Sequence, residues 1–94
     1  MLIQQKEEEG GNGSFYVSVD GKIVAEMEYT MPAPDKMIIT HTEVDDTLSG
    51  KGVGLQLLHA LVEYARTEQI KVIPLCPFAK AIFNKKPELR DVLL

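Results

Sequence analysis

The chain has 94 residues, a formal net charge of −4 and 45% apolar residues, which is ordinary for a globular protein, too apolar for disorder, and the length of one domain spanning residues 1–94. The acidic balance argues against non-specific binding to nucleic acid or an anionic membrane, since both require basic excess. A lone cysteine, Cys76, excludes an internal disulfide and a cysteine-based zinc site and fits a reducing cytoplasm.

Leu2–Gln5 reads as a short edge strand, and Glu7–Gly13 as an acidic, glycine-rich turn. Met1–Glu9 has neither an apolar signal core nor a basic amphipathic pattern, and no run approaches membrane-spanning length. Ser14–Val19 is aromatic and β-branched, hence a strand with Phe15, Val17 and Val19 on one face. Asp20-Gly21 predicts a tight hairpin turn, which needs positive φ at both central residues. Lys22–Thr30 then alternates, with Ile23, Ala25, Met27 and Tyr29 pointing one way. Met31–Asp35 holds two prolines, which cannot donate to a ladder, and is expected to be loop. Lys36–Val44 is the next strand, apolar on both faces at its start as suits a central position.

The period changes to helical over Val53–Glu68, with Leu57, Leu58, Leu61 and Ala65 as the apolar stripe. Ile70–Leu75 is a further strand. Strand, helix, strand makes a βαβ unit, so Lys36–Val44 and Ile70–Leu75 should run parallel. Phe78–Asn84 forms a short helix after Pro77, with Phe78, Ile82 and Phe83 inward, and Glu88–Leu94 is a last short element of open type. The fold class is α/β (α+β): a mixed sheet with antiparallel N-terminal strands, one parallel βαβ unit, one main helix and a short C-terminal helix.

Between strand and helix lies Leu48-Ser49-Gly50-Lys51-Gly52-Val53-Gly54. Alternate glycines at a helix start bring bare backbone amides and the positive end of the helix dipole to one place, which suits phosphate. A nucleotide-binding loop of the Walker type needs Ser or Thr after Gly-Lys, and Gly52 stands there. A dinucleotide fingerprint needs a third glycine, and Leu55 or Leu57 takes that place. Both readings fail.

The run Val44–Leu58 resembles the acetyl-CoA-binding motif of the GCN5-related N-acetyltransferase superfamily: Gln or Arg, two variable residues, Gly, one variable residue, Gly or Ala. Gly52 and Gly54 match its last two defined positions, and Ser49 replaces the usual Gln or Arg. With His41–Val44 before it and Ile73–Phe78 after the helix, the span looks like the small YjdJ-type minimal acetyltransferase-like subfamily. The resemblance implies that pantetheine enters a gap between the two parallel strands along Thr42–Val44. It also implies that Ser49, Gly50, Lys51, Gly52, Val53, Gly54 and Leu55 cradle the pyrophosphate of acetyl-CoA, the co-substrate, with no metal.

In this family an amine attacks the thioester directly, a base takes the amine proton, and an acid protonates the leaving thiolate. The usual acid is a tyrosine on the helix after the second parallel strand, where this chain has only Phe78 and Phe83. Cys76, at the carboxyl end of its strand, is the candidate acid or acyl-accepting nucleophile. His41 and Glu43 alternate on the strand that feeds the loop and are the candidate bases, His being the side chain that switches charge near neutrality. His59 lies off the apolar stripe and receives no role. The expectation is an acetyl-CoA-dependent N-acetyltransferase with an unread amine acceptor. The rival is a non-catalytic CoA- or acyl-CoA-binding regulatory or interaction module. The family's early helices and last strands are missing, so a homodimer would supply the absent wall.

Overall fold

Every strand joins one five-stranded sheet in the computed structural model, which describes residues 1–94. The strands are β1 (Gln4–Glu7), β2 (Asn12–Val19), β3 (Lys22–Ala33), β4 (Lys36–Val44) and β5 (Lys71–Pro74), and they lie side by side in that order. The first four are antiparallel neighbours, while β4 and β5 are parallel. Helix α1 (Val53–Glu68) makes the crossover, and α2 (Pro77–Lys85) follows β5. The expected fold class is the one observed.

The β2–β3 turn has φ of 52° at Asp20 and 77° at Gly21, the paired positive values the hairpin requires. β3 then carries an extra residue: Val17 faces Ala25 but Ser18 faces Ile23, leaving Val24 as a bulge. Ala25, Met27 and Tyr29 are buried as expected, whereas Ile23 and Val19 lie beyond the bulge near the hairpin tip and are exposed. β3 also runs on through Pro32 to Ala33, where a loop was expected. Its register with β4 passes from Thr30–Ile38 to Ala33–Lys36. Pro32 therefore sits in an irregular stretch where its missing N–H breaks no ladder bond.

α1 packs on the inward face of β2, β3 and β4, burying Val53, Leu57, Leu58, Leu61, Val62 and Ala65 against Phe15, Met27, Met37 and Ile39. Burying side chains of this size contributes roughly 1.5–3 kcal/mol each. The other face of β4 is not packed as a central strand's would be: Ile38 is half-buried, and Lys36 and Thr40 are exposed. The layer is one-sided. Pro87–Val92 forms a 3-10 turn with Leu89 and Val92 in the core, and Leu93 bridges Val72 to close the free edge of β5. Arg66 ties this turn to α1 through both oxygens of Asp91, at 3.0 and 2.7 Å. No helix is long and apolar enough to cross a membrane.

Candidate active site

β5 leaves β4 at a definite residue. The parallel ladder ends where Ile39 faces Pro74, since proline has no donor to extend it. The amides of Leu75 and Cys76 both fall back on the Ile39 carbonyl, at 3.1 Å each. Beyond that point His41–Val44 remains paired to β3 alone. A gap opens between the parallel strands, with an unpaired backbone edge along β4.

A second bulge acts at the same level. Glu28 faces His41 while Tyr29 faces Ile39, so Thr40 is the extra residue. The inward phase of β4 shifts by one, from Met37 and Ile39 to Thr42 and Val44, both half-buried. His41 and Glu43 remain on a shared face, with side chains 60% and 82% exposed and His41 Nε2 3.8 Å from Glu43 Oε2.

The glycine run begins after a 3-10 turn, Asp46–Leu48, whose first residues are held by Asp45: its Oδ1 accepts from the Thr47 amide at 2.9 Å and the Thr47 hydroxyl at 2.8 Å. Those two bonds hold the Asp45 carboxyl below the usual carboxylate range. The amides of Ser49 and Lys51 are used within the turn, on the carbonyls of Asp46 and Leu48. Lys51 thus has no free amide to offer. Gly50 (φ 79°) and Gly52 (φ 70°) are left-handed, and space around each is open. Gly52 caps α1, whose first internal acceptor bond is Gln56 N–H to Gly52 O. The amides of Gly50, Gly52, Val53, Gly54 and Leu55 have no protein acceptor. These five residues line a cavity of about 370 Å³ together with Val44, Leu48, Ser49, Phe78 and Ile82.

Gly54 is a glycine for another reason. A Cβ there would lie 2.2 Å from Phe78 Cζ and 2.6 Å from Cε2, so the Phe78 ring occupies the notch that the absent side chain leaves. Phe78 is 42% exposed rather than inward; the buried residues of α2 are Ala79 and Phe83. The helix carries two i, i+4 apolar pairs, Ala79/Phe83 and Phe78/Ile82, and only the first belongs to the core. That second pair was the signal for the cavity wall, and it reads as core when the helix is given one face.

Cys76 lies at the mouth of the gap as the N-cap of α2, 4% exposed. Its Sγ is 3.3 Å from Thr42 Oγ1. Burial pushes the thiol up, but the hydrogen bond with the Thr42 hydroxyl and the nearby backbone of the first turn of α2 more than offset it, leaving the thiol below its ordinary value. The bulge at Thr40 is what brings Thr42, and not His41, to the sulfur. Thr42 and Cys76 are thus brought together in the gap; His41 and Glu43 are brought to each other on the exposed side.

The family described as GCN5-related N-acetyl-transferase matches residues 14–92. The chain belongs to that family. A GCN5-like protein of Staphylococcus aureus solved by NMR is 37% identical, with TM-score 0.75 over 97% of this chain and 87% of that one. A protein of Clostridium acetobutylicum solved with acetyl-CoA matches at TM-score 0.64 and 19% identity over 80% of this chain. A GNAT family acetyltransferase of Elizabethkingia anophelis with acetyl-CoA bound matches at TM-score 0.62 and 14% identity over 82%. The chain spans 56% and 53% of those two larger proteins, and at such identities they show the fold alone. No curated protein matches the chain. Family membership bears out the resemblance at superfamily level and the expected enzyme class, an N-acetyltransferase, and the match covers β2 from Ser14, β3 to β5, both helices and the glycine turn, leaving out β1.

Proposed function

We propose that this GCN5-related N-acetyltransferase family member is a minimal, YjdJ-type enzyme that transfers an acetyl group from acetyl-CoA to an amine. The observation that carries the proposal is the row of five acceptor-free amides, Gly50, Gly52, Val53, Gly54 and Leu55, facing one cavity. A diphosphate satisfies such donors, helped by the dipole of α1. The Lys51 ammonium on the same turn adds a point charge. The apolar wall of Val44, Leu48, Phe78 and Ile82 suits the less polar thiol arm, and the unpaired edge of β4 at Thr42–Val44 offers that arm backbone partners.

In the reaction the amine nitrogen adds to the thioester carbon, the carbon–sulfur bond breaks, and the sulfur leaves as CoA thiolate. His41, paired with Glu43, takes the amine proton. Cys76, supported by Thr42, either gives its proton to the thiolate or accepts the acetyl group first and passes it to the amine. An acetyl mass on Cys76 after mixing with acetyl-CoA alone would identify the second route. A CoA-binding module without turnover is the second reading, favoured by the high exposure of His41 and Glu43. Release of free thiol from acetyl-CoA across a panel of amines separates the two. Turnover with at least one amine supports the enzyme; CoA binding with no turnover across a broad panel supports the module.

A further inference from the structure

Two helix N-termini meet at the cavity. α1 contributes the free amides that begin at Gly52, and α2 contributes Cys76, its N-cap, whose sulfur lies 3.3 Å from Thr42 Oγ1. One residue touches both. Phe78 follows Cys76 by two residues in the first turn of α2, and its ring is seated in the notch at Gly54, in the first turn of α1. An aromatic ring left 42% exposed beside unsatisfied donors is not placed there by core burial, since Ala79 and Phe83 already fill that role for α2.

We infer that Phe78 is the residue that sets the register between the diphosphate end and the thiol end of the cavity, and that its ring is the surface on which the thiol arm of the bound coenzyme lies. The inference deepens the acetyl-CoA reading of the same cavity and rests on it. The seat is specific in shape. A ring shifted outward would widen the wall and change the distance between the α1 amides and the Cys76 sulfur. The diphosphate end, built from the backbone of Gly50–Leu55, does not depend on the ring.

Calorimetry with CoA and with ADP, which carries a diphosphate but no thiol arm, tests this on the full chain. Phe78→Ala is expected to weaken CoA binding about tenfold and to leave ADP affinity unchanged. Phe78→Leu, which keeps apolar bulk, should recover most of the loss. Gly54→Ala places a Cβ where the ring sits and should weaken CoA in the same way. Combined with Phe78→Ala it should add no further loss, because the clash is gone. Equal losses for CoA and ADP, or none for either in Phe78→Ala, would overturn the role of Phe78 while leaving the coenzyme reading intact. Failure of the unaltered protein to bind CoA would overturn both. Where Phe78→Ala does not fold, the Phe78→Leu and Gly54→Ala variants decide the same question.

Discussion

Gly52 and Gly54 stand two residues apart and are glycine for different physical reasons. Gly52 has φ 70° with nothing near its Cβ position, so its requirement is conformational. Gly54 has ordinary helical backbone and no room. Gly52→Ala should lower stability by about 1 kcal/mol, the cost of a side chain in the left-handed region, measured by denaturant unfolding. Gly52→Asp should in addition abolish CoA binding, because it puts a carboxylate where five donors converge. Unchanged CoA affinity in Gly52→Asp would mean that the diphosphate lies elsewhere. Cys76 gives a second residue-scale expectation. Its folded thiol lies below the ordinary value, so folding favours the thiolate. The stability this contributes is complete above the ordinary thiol value and is lost as pH falls through the folded one. Alkylation of Cys76 should therefore reach half its maximal rate at lower pH than a free thiol's. Thr42→Val should move that midpoint up by removing the hydroxyl, and Thr42→Ser should restore it. The same midpoint in all three proteins would deny Thr42 any part.

At the scale of elements, α1 was legible in the sequence to its ends, because Leu57, Leu58, Leu61 and Ala65 repeat with helical period over a long segment. The β2–β3 hairpin was legible from Asp20-Gly21. The two bulges were not. Val24 and Thr40 sit within runs whose apolar and polar residues fit an unbroken alternation equally well, and what decides them is pairing with a neighbour strand. The slip at Thr40 matters most: it exchanges His41 for Thr42 beside Cys76. Leu61→Ala, at a position with no exposure at all, should cost about 2–5 kcal/mol in denaturant unfolding, and a loss well under 1 kcal/mol would contradict the packing of α1 on the sheet. The C-terminal turn has a different sensitivity. Hydrogen bonds from Arg66 hold the Asp91 carboxyl below its usual range, so their contribution is present above the ordinary carboxylate value and is lost as pH falls through the lowered one. Hydrogen exchange at Leu94, whose amide bonds the Val72 carbonyl, should speed up in Asp91→Asn at neutral pH and match the unaltered chain in strong acid.

Over the whole molecule, the sheet carries helices on one face only, and the gap between β4 and β5 opens at the end where α1 and α2 both begin. This arrangement follows from chain order. A parallel pair needs a crossover, the crossover helix must start at the carboxyl end of β4, and Pro74 stops β5 from closing the ladder. The glycine turn was legible as a run of bare amides at a helix start because its chemistry is local. Phe78 was not legible as part of the cavity, because its seat is formed only when α2 meets α1 through Gly54. The central claim is that the acceptor-free amides at the start of α1 receive the diphosphate of acetyl-CoA. Titration of the nitrogen-labelled protein with CoA and with ADP, followed by amide resonances, tests it most directly. Gly50, Gly52, Val53, Gly54 and Leu55 are expected to shift together and saturably with CoA and with ADP, and Thr42–Val44 with CoA alone. Saturable shifts confined to other surfaces, or no shifts at these five amides, would contradict it.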